Sequence, residues 1–127
     1  MGNEQKIEMG RKFHAALLSR DWPAIRSLLT DNVTWTLPGN NLISGTAVGA
    51  DEVTQRAQKI AGFGVSFTLN HILVSRDNFA LSIHNVAQRD GQALDEYVAT
   101  VCHLKNDKIA AIETYLSDVD GMNAFFV

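Results

Sequence analysis

The chain has 127 residues, which is enough for one domain with a sizeable core, and 46% of them are apolar. Eleven basic and fourteen acidic residues give a net charge of −3 without a basic stripe, so we expect no nucleic-acid partner. There is no run of about 18 apolar residues and hence no expected membrane partner. The first residues do not resemble a signal peptide, so we expect a cytoplasmic protein. Cys102 is the only cysteine, so no intramolecular disulfide is expected. No residues have metal-ligand spacing and no phosphate or dinucleotide loop is present, so we expect no metal and no cofactor.

Three helices and one strand are predicted in the N-terminal half. Apolar residues at helical spacing predict the first helix over residues 4–20. A second helix restarts at Asp21-Trp22-Pro23, with Asp21 as its candidate N-cap and the proline in its first turn. The strict alternation of Val33–Leu37 predicts a half-buried strand, and the third helix is predicted over Ala50–Ala61.

The C-terminal half reads as four long strands separated by short turns. The strands are predicted at Phe63–Ser75, Phe79–Gln88, Ala93–Leu104 and Ile109–Leu116. Short Asp-Asn, Asp-Gly and Asn-Asp breaks predict antiparallel pairing in a meander, and the apolar tail Gly121–Val127 is expected to dock on the domain. Helices followed by strands indicate the α+β class. We therefore predict that residues 1–127 form a single domain, in which a cone-shaped, curved antiparallel sheet packs against three N-terminal helices and leaves a pocket at its mouth.

Short motifs along almost the whole chain carry a family resemblance. They are Asp21-Trp22, Val33–Gly39, Ser44-Gly45-Thr46 with Gly49, the hairpin Leu104–Ile109, and the closing element Tyr115–Asp118. Together these motifs resemble the nuclear transport factor 2-like superfamily, also described as cystatin-like, which includes ketosteroid isomerases, limonene epoxide hydrolases and SnoaL-like polyketide cyclases. The resemblance implies the cone-shaped fold with a ligand pocket, and it favours the SnoaL-like branch.

The three families differ in how many of their catalytic residues have counterparts in this chain. The donor Tyr and the base Asp of ketosteroid isomerases have no counterparts at the matching positions, and the Asp-Arg-Asp set of the epoxide hydrolases is also missing. SnoaL-like cyclases need a His facing an Asp in an apolar pocket. By this resemblance Asp118 is the candidate Asp, and His84 or His103 is the candidate His.

Three residues are candidate catalytic groups. Glu96 shares strand parity with an apolar set, so if that set faces the helices, burial raises the pKa of Glu96 and suits it to acid/base chemistry. The alternative for Glu96 is a salt bridge at the rim or an interface. Asp118 is either an acid/base group or the N-cap of a short terminal helix. Tyr115 either donates a hydrogen bond to a ligand carbonyl or is a buried tyrosine with a satisfied hydroxyl.

Five further residues are candidates for ligand binding. Trp35 lines the pocket or packs in the core, and Asn40 binds a ligand or only forms a turn. Glu113 shares a face with Tyr115, Ile109 and Ala111. By parity, His84 lies on the less apolar side of its strand, and His103 points opposite to Glu96. Therefore Glu96 and His103 are not both expected in the pocket.

These observations favour a cofactor-independent isomerase or cyclase that acts on a small, apolar carbonyl compound by general acid/base proton transfer. Glu96 or Asp118 would be the base, and Tyr115 or a histidine would be the hydrogen-bond donor. The alternative is a non-catalytic ligand-binding or dimeric interaction module of the same fold. In both cases we expect a homodimer formed through the sheet.

Overall fold

The computed structural model describes all residues from Met1 to Val127. The helices are α1 (Asn3–Ser19), α2 (Trp22–Ser27), α3 (Ala50–Gly62) and α4 (Val119–Phe125). The strands are β1 (Leu29–Leu37), β2 (Gly45–Val48), β3 (Ser66–Val74), β4 (Asn78–Arg89), β5 (Gln92–Lys105) and β6 (Lys108–Leu116). The three predicted helices are present, and α4 is a short fourth helix in the C-terminal tail. None of the helices is long and apolar enough to cross a membrane.

The six strands form one sheet in the order β2-β1-β6-β5-β4-β3. The predicted antiparallel meander of β3 to β6 is confirmed. Strand β1 pairs with β6 in parallel, which departs from the antiparallel pairing of the other strands. Register shifts occur in three of the pairs, and β-bulges of this kind bend a sheet. The predicted α+β class, with helices packed on a curved sheet, is confirmed.

Local chemistry explains where the helices begin. Asp21 caps α2 by accepting a hydrogen bond from the backbone N–H of Ala24 at 3.1 Å, as its sequence predicts. Gly49 precedes α3 with a φ of 96°, which a side chain would strain. The apolar faces of α1 and α3 then pack on the sheet, where Phe13 and Ala57 are almost fully buried.

The C-terminal tail docks on the domain, as expected from its apolar residues. Phe125 and Phe126 are 1% and 2% exposed, and both belong to a core cluster around α4. Arg89 donates to the backbone oxygen of Val127 at 2.9 Å, and its guanidinium lies 4.4 Å from the centre of the Phe63 ring. These contacts hold the tail against the end of the sheet where α4 closes one wall of a pocket.

Candidate active site

A pocket of about 70 Å³ lies between the inner face of the sheet and helices α1, α3 and α4. It has room for roughly half a dozen water molecules or one small organic molecule. This is well below the ~300–1,000 Å³ of sites for drug-sized ligands. Fourteen of its eighteen lining residues are hydrophobic, and the other four are Asn85, Glu96, Thr100 and Thr114. The walls therefore favour a small ligand with few polar groups.

Three polar groups of the pocket bind one another. The indole N–H of Trp35 donates to the hydroxyl of Thr114 at 3.0 Å, and the hydroxyls of Thr114 and Thr100 are 3.1 Å apart. Arg56 supports Trp35 from behind, since its guanidinium lies 5.2 Å from the ring centre and donates to the Trp35 carbonyl at 2.8 Å. Trp35 thus lines the pocket with its polar edge already satisfied.

Glu96 is the ionisable residue of the pocket. It lies on β5 between the inward-facing Leu94 and Val98, and only 2% of it is exposed. Its Oε2 atom is buried without a hydrogen-bond partner. Burial, with a smaller contribution from the charge of Asp118, raises the pKa of Glu96 to about 7. Of the two alternatives left open for Glu96, the structure therefore shows the inward orientation.

Asn85 is the second pocket residue without a partner, and the sequence interpretation missed it. It lies on β4 directly opposite Glu96 in the β4–β5 ladder. Its Oδ1 atom is buried and accepts no hydrogen bond. A signal was present, since Asn85 shares strand parity with Phe79, Leu81 and Ile83, which predicts the same inner face.

Asp118 lies outside the pocket lining. Its side chain is exposed and accepts a hydrogen bond from the backbone N–H of Gly121 at 2.9 Å, which makes it the N-cap of α4. The capping alternative is therefore the one that the geometry shows. The carboxylate still influences the pocket, because its negative charge contributes to the raised pKa of Glu96.

Tyr115 and Glu113 are both exposed on the outer face of the sheet, Tyr115 by 55%. Neither lines the pocket, which corrects the expectation that they bind or act on a ligand there. The cause is a bulge between β5 and β6, where the register shifts after Ile109. As a result Ile109 and Ile112 both point inward, and the parity of the strand changes between them.

Both candidate histidines also lie outside the pocket. His84 faces outward, where its Nε2 is 2.5 Å from Asp95 Oδ1 and its ring stacks on Tyr97 at 4.4 Å. His103 is exposed and has the same parity as Tyr97. None of the His and Asp candidates proposed from the resemblance to the SnoaL-like cyclases therefore lines the pocket.

Asn40 is exposed and helps to hold α4 instead of lining the pocket. Its backbone N–H donates to Asn123 Oδ1 at 2.8 Å, and the Asn41 side chain donates to the same atom at 2.8 Å. No group of three or more His, Cys, Asp or Glu side chains is arranged to hold a metal ion. Cys102 is fully buried, and burial raises the pKa of its thiol.

The comparisons with known proteins agree with this fold. No curated protein matches the chain. Bal32a, from a soil-derived mobile gene cassette, is 26% identical with a TM-score of 0.92 over 98% of each chain. A cystatin-like protein of Xanthomonas campestris is 22% identical with a TM-score of 0.85, over 95% of this chain and 97% of that one.

A candidate ketosteroid isomerase of Kribbella flavida is 17% identical, with a TM-score of 0.74 over 89% of this chain and 78% of that one. At these identities the Xanthomonas and Kribbella proteins show the fold alone. Residues 10–112 match the SnoaL-like domain, which is most of the chain. The protein therefore belongs to the SnoaL-like domain family.

Proposed function

We propose that the protein is a cofactor-independent isomerase or cyclase that moves a proton next to the carbonyl group of a small, largely apolar compound. The single observation that carries this proposal is Glu96, a carboxyl group buried in an apolar pocket with its Oε2 unpaired. Its pKa of about 7 suits a group that must both take and return a proton near neutral pH. Membership in a family with isomerases and cyclases supports the reaction class.

In the proposed reaction the ionised Glu96 takes a proton from the carbon beside the carbonyl, and the electron pair moves onto the carbonyl oxygen as an enolate. In an isomerisation, Glu96 returns the proton to another carbon of the enolate. In a ring closure, the enolate carbon attacks a second carbonyl of the same molecule, and the new alkoxide takes the proton. The apolar walls exclude water, which keeps the base poorly solvated and its proton within the pocket.

Proton exchange tests this proposal without knowledge of the natural substrate. Cyclohexanone in D₂O exchanges its protons next to the carbonyl, and ¹H NMR follows their loss. We expect the protein to accelerate this exchange, with a rate that rises with pH around an apparent pKa near 7. Glu96→Gln should abolish the acceleration, and Glu4→Gln, which changes an exposed carboxylate on α1, should retain it. Equal acceleration by Glu96→Gln would contradict the proposal.

The alternative is a binding module that holds the same kind of ligand without reaction. The observation that favours it is the capping role of Asp118, which leaves one ionisable group in the pocket instead of two. Saturation-transfer NMR with cyclohexanone separates the two functions. Binding without accelerated exchange supports the module, and binding with exchange supports the enzyme.

A further inference from the structure

Two unpaired polar atoms belong to neighbouring residues of the pocket wall. Asn85 Oδ1 and Glu96 Oε2 are both buried without partners, and their residues are direct neighbours across β4 and β5. Buried polar atoms in folded proteins are almost always paired, so an unpaired atom calls for an explanation. The remaining polar side chains of the pocket do have partners, through the Trp35, Thr114 and Thr100 hydrogen bonds. The two unpaired atoms of the pocket thus belong to residues that are paired with each other in the sheet.

We propose that Asn85 is a catalytic residue that binds the carbonyl oxygen of the substrate while Glu96 takes the neighbouring proton. This inference rests on the proposed function of Glu96. Directly opposite residues of an antiparallel pair have Cβ atoms about 4.5–5.5 Å apart. A carbonyl oxygen and the hydrogen on the adjacent carbon are separated by two bonds between heavy atoms, so one small molecule reaches both side chains at once.

The amide of Asn85 suits this role because its orientation is free. Its Oδ1 accepts no hydrogen bond, so turning the amide to present its Nδ2–H to the ligand breaks no contact of that atom. The terminal torsion of asparagine has broad minima, which permits the turn. A neutral donor also stabilises an enolate oxygen without placing a positive charge beside Glu96, which would lower the pKa of that base.

Asn85 and Glu96 together also limit the class of substrate that the pocket accepts. One carbonyl oxygen fits the Asn85 amide, and the rest of the molecule meets apolar walls such as Ile83 and Val98. A ligand carboxylate beside Glu96 would bring a second negative charge to a desolvated carboxyl and is disfavoured. The expected substrate is therefore an uncharged ketone or aldehyde small enough for a pocket of about 70 Å³.

Two variants of Asn85 test the role in the cyclohexanone exchange assay. Asn85→Leu removes the amide at similar volume, and we expect a loss of about 10²–10³-fold in the rate, as for the loss of one oxyanion donor. Asn85→Asp keeps an acceptor but removes the donor, so it should lose activity to the same extent. Gln88→Leu removes an exposed amide from the same strand and should leave the rate unchanged.

¹³C NMR of the Glu96 carboxyl carbon, without ligand, measures the pKa of Glu96 in each variant. A pKa that stays raised shows that the folded chain still buries this residue. Asn85→Asp should raise this pKa further because it adds a like charge. If Glu96→Gln loses exchange while Asn85→Leu retains it, the role of Asn85 is overturned and the proposed function stands. Full activity of Asn85→Asp would also overturn the donor role. If Glu96→Gln retains exchange, the proposed function itself fails.

Discussion

At Glu96 the fold surrounds a carboxyl group with apolar side chains, and this makes the free energy of unfolding depend on pH. The pKa rises from an ordinary 4.5 to about 7 in the folded chain. Between these pH values the unfolded chain is ionised at Glu96 while the folded chain keeps the proton. The unfolded state then binds fewer protons, so the Glu96 contribution to stability falls as the pH rises through this window. The full loss is about 3 kcal/mol above pH 7.

Glu96→Gln should therefore remove part of the pH dependence of stability. Below pH 4.5 Glu96 is protonated in both the folded and the unfolded state, so this contribution is absent. By pH 8 the free energy of unfolding of the variant should have gained about 3 kcal/mol on that of the wild type. Urea unfolding at several pH values between 4 and 8 measures the difference. Glu4→Gln serves as the exposed control. Parallel pH profiles for Glu96→Gln and the wild type would show that the folded chain does not raise this pKa.

Among the elements, α4 lies between the C-terminal tail and the pocket, and its N-cap is Asp118. Asp118 has two separable effects there, because it caps the helix and its charge raises the pKa of Glu96. Asn is as good an N-cap as Asp but carries no charge. Two substitutions at Asp118 therefore separate its effect on the helix cap from its effect on the pKa of Glu96.

Asp118→Asn should keep the stability of the protein and lower the pKa of Glu96, since a nearby negative charge is lost. Asp118→Ala should lower the pKa in the same direction and also cost about 0.5–2 kcal/mol of stability. Urea unfolding and ¹³C NMR of Glu96 measure the two quantities. A loss of stability in Asp118→Asn equal to that in Asp118→Ala would contradict the capping role.

The loop before β2 holds α4 through hydrogen bonds from Asn40 and Asn41 to Asn123 Oδ1, and Gly39 leaves room for that atom. This residue has a φ of 104°, and a Cβ added there would lie 2.5 Å from Asn123 Oδ1. Gly45 has a similar φ of 98° but open space around it. Gly45→Ala should cost only the backbone strain, about 1 kcal/mol, and Gly39→Ala should cost roughly twice as much.

Urea unfolding measures both free energies, and hydrogen exchange of residues 119–126 shows whether α4 has loosened. Gly39→Ala should increase exchange in this segment and Gly45→Ala should not. Equal destabilisation by the two substitutions would show that the contact with Asn123 contributes nothing.

At the scale of the whole molecule, the outer face of the sheet exposes several large side chains. Tyr97, Tyr115 and Val86 are 59%, 55% and 41% exposed there, beside His84. Exposed aromatic side chains on neighbouring strands are typical of interaction surfaces. The homodimer expected from the sequence stays a prediction, and this face is the part of the structure that supports it.

Sedimentation velocity over a range of protein concentrations tests the homodimer. We expect the wild type to be a dimer and the double variant Tyr97→Glu with Tyr115→Glu to be a monomer, because paired faces would bury four like charges. The double change to Phe keeps the apolar surface and should remain dimeric. A wild type that stays monomeric at the highest concentration would contradict the prediction.

The sequence by itself determined the order of helices and strands, the α+β class and the set of apolar residues that shares a strand face with Glu96. Helical spacing, capping residues and turn residues act within a few positions, and β5 keeps one parity from Leu94 to Cys102. Only the tertiary structure decided that Asn85 faces Glu96 and that Tyr115 faces away from the pocket. The physical reason is that register and bulges arise between strands, so a single strand read alone does not contain them.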